Sequence, residues 1–167
     1  RQLYTDDVSY IIDRGGTILK TARCLEFKTP EGRQRAYDTM VREGIDGLVV
    51  IGGDGTFTGA RVFGQEFNIP IVGVPGTIDN DLYGTDMTFG FQSAVNIASA
   101  AIDQIHTTAA SHGRVFIVEI MGHAVGWLTL HAGIASGADI VLIPEIPYDI
   151  DKVVEKMPST FSGVIPT

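Results

Sequence analysis

Short runs of purely apolar, mostly β-branched residues recur along the middle of this chain, and each leads into a turn rich in glycine or proline. They are Leu48-Val49-Val50-Ile51 before Gly52-Gly53, Ile71-Val72-Gly73-Val74 before Pro75-Gly76, Val115-Phe116-Ile117-Val118 before Met121-Gly122, and Ile140-Val141-Leu142-Ile143 before Pro144. A run without a polar position reads as a strand buried on both faces. The gaps between the runs carry helical spacing, clearest from Phe91 to Thr108 and from Ala124 to Ala135. Upstream, Thr29-Pro30-Glu31 supplies a cap, a first-turn proline and an early acid, and Gly44 stands at a C-cap position, which predicts a helix from Pro30 to Glu43. Thr5-Asp6-Asp7 before Val8, Ile11 and Ile12, closed by Gly15-Gly16, predicts a shorter helix, and Asp151 to Met157 starts another that Pro158 interrupts. Strands alternating with helices predict a parallel α/β sheet with right-handed crossovers. The four loops share no common pattern, so the alternation is not a sequence repeat. In such sheets ligands gather at the carboxyl ends of the strands, where these loops lie.

Composition narrows this picture. The 167 residues allow one sizeable core, or a small core with an appendage. With 44% hydrophobic and 19% charged residues and 20 glycines, intrinsic disorder is excluded. The net charge of −8 argues against nucleic acid or an anionic membrane as a partner, while leaving room for a local phosphate pocket. A single cysteine, Cys24, excludes an intrachain disulfide and a cysteine-rich metal site, and points to a reducing, cytoplasmic compartment. No apolar run approaches the roughly 20 residues of a membrane span. The chain starts at Arg1 and not at Met, which predicts a piece of a longer protein.

Two loops carry candidate chemistry. Gly52-Gly53-Asp54-Gly55-Thr56 lies between a strand and a helix. Glycines there let backbone N–H groups close on phosphate oxygens, the helix N-terminus favours negative charge, and Asp54 offers a carboxylate to magnesium. An ordinary strand-to-helix turn would need glycine for geometry alone, but the full motif in this context favours a nucleotide phosphate site. In Pro75-Gly76-Thr77-Ile78-Asp79-Asn80-Asp81, two carboxylates are separated by one residue, so in an extended stretch they point the same way. Such a pair can split into a base and a metal ligand, a base of that kind taking a sugar-hydroxyl proton during phosphoryl transfer. Asp and Asn also form turns through their own backbone; the intervening Ile78 weakens that reading.

These two loops, followed by Ser111-His112-Gly113-Arg114 and Val118-Glu119-Ile120-Met121-Gly122, resemble the 6-phosphofructokinase family in order and spacing from about Val8 to Pro147. The resemblance implies an α/β fold with a parallel sheet and helices on both faces, Rossmann-like and incomplete, occupying residues 1–157, with 158–167 a tail or junction. The family's first strand with its glycine-rich phosphate loop, and its second lobe, are not in this sequence. The implied activity is transfer of the γ-phosphoryl of ATP to the 1-hydroxyl of fructose 6-phosphate, with Mg2+, in a homo-oligomer for which a tetramer is favoured. Asp79 matches the catalytic base. Gly53, Asp54, Gly55 and Thr56 match the donor-phosphate loop, and Arg23 with Cys24 matches residues beside the donor phosphates. Thr77 and Ile78 precede the base in the substrate loop, with Thr77 near the transferring phosphoryl. Asp54 and Asp81 match magnesium ligands. Met121, Gly122 and His123 occupy the sugar loop, where the family usually has Met-Gly-Arg, and histidine is shorter and only partly charged near neutral pH. Arg114 resembles an arginine that reaches a neighbouring subunit's sugar phosphate.

Rivals are a pyrophosphate-dependent relative, a NAD or lipid kinase sharing only the first loop, and a non-catalytic nucleotide-binding or regulatory subunit. Pyrophosphate users resemble this sequence but bear an acid at the place of Gly55 and a lysine at the place of Gly76. Elsewhere the bland readings lead: Cys24 is a small packed residue, His106 and His131 are structural, and Gly137-Ala138-Asp139 is a helix-to-strand turn. His112 ends a helix and borders the site.

Overall fold

The computed structural model describes residues 2–157 and divides the chain into two compact units, Arg1–Gly44 and Ile45–Thr167. The expected tail at 158–167 lies outside the described residues.

In the first unit, α1 (Thr5–Val8) is a single turn, shorter than the apolar spacing to Ile12 suggests, and Gly16 follows in the left-handed region at φ 80°. The principal element is α2 (Pro30–Glu43), with the predicted bounds. The Thr29 hydroxyl accepts the Gly32 N–H at 3.1 Å, and Gly44, at φ 66°, donates its N–H to the Met40 and Val41 carbonyls. A short 3-10 turn, Leu25–Lys28, lies so close to the start of α2 that a Cβ at Gly32 would overlap the Glu26 carbonyl oxygen. Cys24 caps this turn and is exposed, not packed as its residue type suggested.

The second unit opens with β1 (Leu48–Gly52), α3 (Asp54–Phe67) and β2 (Ile71–Pro75). The two strands pair in parallel from Leu48 opposite Ile71 to Gly52 opposite Pro75. Helix α3 packs on this sheet: Phe57 covers Gly73, where a Cβ would lie 2.9 Å from the ring, and Gly64 lets Ile71 approach. Phe63 is fully buried on the same helix. The strands are nevertheless not buried on both faces, because Val49, Ile51 and Val72 are 68%, 58% and 63% exposed.

Helix α4 (Phe91–His112) runs four residues beyond its predicted end before Gly113, at φ 59°, turns it off. Helix α5 (Trp127–Ala135) starts three residues later than predicted, since Ala124 sits at φ 64°, outside helical geometry. The Gly126 N–H at its start is satisfied by the Glu145 carboxylate at 2.7 Å. Phe91, Val95 and Leu128 form the buried cluster between α4 and α5, with Ile78, Ala94 and Ile120 packed against it. Helix α6 (Ile150–Lys156) is capped by the Asp149 side chain. No helix among the described residues is long and apolar enough to cross a membrane.

The other two predicted strands do not form. Residues 115–118 and 140–143 are not strands, and among the described residues the sheet has two strands. The apolar pattern was read correctly in part: Val141 packs on Gly133 and Ile143 on Gly126, while Ile140 and Leu142 are exposed, a period of two. What is missing is a ladder partner. A strand is held by the N–H and C=O groups of a neighbour, and apolar alternation against a helix does not supply them. Residues 115–118 are likewise unpaired, and each is at least 40% exposed.

Candidate functional site

The site is assembled from three loops of the second unit. At the first, β1 ends at Gly52 and α3 begins at Asp54 with Gly53 as N-cap. The first intrahelical bond runs from Phe57 N–H to the Gly53 carbonyl at 3.1 Å, so the N–H groups of Asp54, Gly55 and Thr56 have no acceptor within the helix. Three adjacent free donors at the positive end of a helix suit an anion. The glycines serve distinct needs. A Cβ at Gly52 would overlap the Thr56 hydroxyl, whereas a Cβ at Gly55 would meet nothing within 4 Å, so the helix start is open there.

The second loop is joined to the first. Gly76 N–H donates to the Gly52 carbonyl at 3.0 Å, and the Gly53 backbone faces Thr77, to whose Cβ a Cβ on Gly53 would lie 3.4 Å. The Thr77 hydroxyl accepts the Asp79 N–H at 3.2 Å. Ile78 turns down onto the Phe91 cluster, which fixes the height of Asp79 beside it. The stretch is not extended: Asn80 lies at φ 52° in the left-handed region, so the two carboxylates do not share a face as the one-residue spacing suggested. Asp79 lines the pocket described next; Asp81 does not, and its Oδ1 is buried without a hydrogen-bond partner among the described residues.

The third loop supplies the far wall. Ile120 packs on the same cluster as Ile78, and an open pocket of about 440 Å³ is lined by Asp79, Glu119, Ile120, Met121, Gly122 and His123. Gly122 is required, since a Cβ would overlap the Val125 carbonyl. Thus Asp79, Met121, Gly122 and His123 share one pocket; Gly53, Asp54, Gly55 and Thr56 do not line it, and the link is the approach of Gly53 to Thr77, two residues before Asp79. Arg114 is exposed just beyond α4, its N–H bonded to the Ala109 carbonyl, and does not line the pocket. Arg23 and Cys24 are exposed residues of the first unit. His112 is the last residue of α4, and His131 stacks edge-on to Phe91 with ring centres 5.2 Å apart, a structural contact.

Two residues gained a place that their sequence reading had not assigned. Glu119 lines the pocket, and its signal was a lone charge inside an otherwise apolar run from Val115 to Met121. Asn80 determines the shape of the second loop, as its position between two carboxylates and its tolerance of positive φ could have suggested.

A family profile described as Phosphofructokinase matches residues 1–163. This chain belongs to the phosphofructokinase family. It is 56% identical over 161 residues to a Bacteroides thetaiotaomicron protein named ATP-dependent 6-phosphofructokinase 2, covering 96% of this chain and 49% of the relative. Among solved structures it resembles Pichia pastoris phosphofructokinase in the T-state, with a TM-score of 0.81 and 46% identity, covering 87% of this chain and 17% of that one. A pyrophosphate-dependent phosphofructokinase from Marinobacter aquaeolei is more distant, at a TM-score of 0.72 and 25% identity, covering 84% and 38%. The chain spans about half the length of the curated relatives it matches. The α/β fold of these phosphofructokinases, with parallel strands and helices, is therefore the fold of this chain.

Proposed function

We propose that the protein carrying this chain transfers the γ-phosphoryl of ATP to the 1-hydroxyl of fructose 6-phosphate. The observation that carries this reading is that the loop holding Asp79 in the pocket is tied to the loop that starts α3, through the Gly76 N–H on the Gly52 carbonyl and the approach of Thr77 to Gly53. An acceptor hydroxyl in the pocket would lie on one side of Thr77, and donor phosphates on the helix start would lie on the other. Asp79 takes the hydroxyl proton as the acceptor oxygen attacks phosphorus, and the N–H groups of Asp54, Gly55 and Thr56 hold the charge of the departing ADP. Met121, Gly122 and His123 orient the sugar, with Ile78 fixing the substrate loop from beneath.

The residues fit a magnesium ion. The Asp81 Oδ1 is buried without a partner among the described residues, a need that a cation would satisfy, and the exposed Asp54 stands at the helix start. Among the described residues no group of three or more His, Cys, Asp or Glu would hold a metal alone. A cation held by one or two carboxylates together with substrate phosphates would screen the charge of those phosphates. Arg23 and Cys24 would add to the donor side, and Arg114 would serve a neighbouring subunit's sugar phosphate in a homo-oligomer, a tetramer by resemblance, working in the cytoplasm. On this reading residues 1–157 form the α/β lobe and 158–167 its tail or junction.

The open space at Gly55 favours a nucleotide over pyrophosphate, because an acid there would stand at the phosphate-binding helix start. The test is kcat/KM for the two donors with fructose 6-phosphate as acceptor, using the natural protein. ATP should be strongly preferred; a preference for pyrophosphate overturns the donor, and no turnover with either overturns the reaction.

A further inference from the structure

Asn80 stands between the proposed base and a proposed metal ligand, and none of the roles above belongs to it. Its side-chain Oδ1 accepts the N–H of Thr88, eight residues further on, at 2.8 Å. Thr88 is 3% exposed, so its amide has no ready substitute in water. One residue later, Phe89 N–H donates to the Pro75 carbonyl at 2.8 Å. Together the two bonds close residues 75–89 into a ring, with Asn80 as its internal strut. The backbone at Asn80 is in the left-handed region at φ 52°, which Asn tolerates better than most residues with a Cβ. That single conformation parts Asp79, which lines the pocket, from Asp81, whose oxygen is buried elsewhere.

We infer that Asn80 is a positioning residue, which aims Asp79 into the pocket by tying the loop to the buried Thr88 main chain. The inference rests on the reading of Asp79 as the base. Asn80 itself touches no reacting atom. Its effect belongs in turnover, because misplacing a base weakens the transition state while the free N–H groups of α3 still bind the donor.

Asn80→Gly separates shape from strut, since glycine keeps the left-handed backbone and removes only the side-chain oxygen. In the natural protein it should lower kcat by about tenfold or more with KM for ATP within about twofold. The Thr88 amide should exchange slowly with solvent in the wild type and at least about tenfold faster in Asn80→Gly. Wild-type kcat in Asn80→Gly overturns the inference, as does lost turnover with unchanged Thr88 exchange. A general loss, with both substrates' KM raised and the melting temperature lowered, also overturns it. If Asn80→Gly does not fold, Asn80→Asp, which retains the oxygen, must fold with Thr88 protected; failure there overturns the inference too. Asp79→Asn is assayed in parallel. Retained activity in that variant removes the base reading itself, whereas an inactive Asp79→Asn beside a fully active Asn80→Gly removes only the role of Asn80.

Discussion

Gly76 offers a sharp test of how closely the loops after β1 and β2 are fitted. A Cβ added there would lie 2.8 Å from Ile51 Cγ2 and 3.5 Å from the Gly52 nitrogen. Carbon atoms in contact prefer about 3.5–4.0 Å, so Gly76→Ala must open the Ile51 contact by about 0.7 Å or more. Overpacking of this kind costs about 1–3 kcal/mol. Ile51 is 58% exposed and can yield toward solvent, which sets the expected loss near the low end, at about 1 kcal/mol. The same strain acts on the bond from Gly76 N–H to the Gly52 carbonyl and through it on the approach of Thr77 to Gly53. A loop shift approaching an ångström would reduce kcat by as much as about 10²-fold. Ile51→Ala removes the opposing methyl, so in the Ile51→Ala/Gly76→Ala double variant the two changes should compensate by about 1 kcal/mol in urea unfolding, with partial recovery of kcat. Strict additivity of the two substitutions would refute the reasoning.

Asp79→Asn preserves size and turn-forming ability but not proton acceptance, and should lower kcat by about 10²-fold or more at near-normal ATP affinity; turnover within a few-fold of wild type would remove it from the role of base. Phe91→Ala empties the centre of the cluster that supports both Ile78 and Ile120, and should cost about 3–5 kcal/mol in denaturant unfolding; a loss below about 1 kcal/mol would mean that the cluster does not carry the loops. Gly55→Asp enters open space and should leave the melting temperature unchanged while lowering kcat/KM for ATP by about tenfold or more through like-charge repulsion at the helix start; unchanged kinetics would place the donor elsewhere.

Local signals were legible wherever one residue's chemistry decided the outcome. Thr29, Pro30 and Gly44 set the bounds of α2 by capping and by φ, and the glycines after Ile51 placed the start of α3. Partnership was not legible. An apolar run such as Ile140 to Ile143 looks the same whether it lies in a ladder or on a helix, because side-chain period reports burial and not hydrogen-bonded neighbours. The start of α5 was missed because the positive φ of Ala124 comes from tertiary context, alanine itself being a strong helix former. In the site, residue types pointed to Asp79 and the Met121-Gly122-His123 loop, and the pocket brings these together. The orientation of Asp81 was misread, since it depends on one dihedral at Asn80 that spacing does not encode.

The convergence of the loops also follows from apolar residues that have no chemistry. Asp79 and Met121 are 42 positions apart in the sequence, yet each has an isoleucine as its preceding neighbour, Ile78 and Ile120. Both isoleucines pack against the cluster of Phe91, Val95 and Leu128, so one buried cluster sets the position of the proposed base and of the proposed sugar wall alike. Fully burying an aliphatic side chain is worth about 1.5–3 kcal/mol, so these partly buried isoleucines each contribute roughly as much as a loop hydrogen bond. The two act together: the isoleucines rest each loop on the shared cluster, and the tie from Asn80 to Thr88 holds the loop that carries Asp79. The isoleucine inside Thr77-Ile78-Asp79, out of place in a polar loop, is the foot on which the proposed base stands.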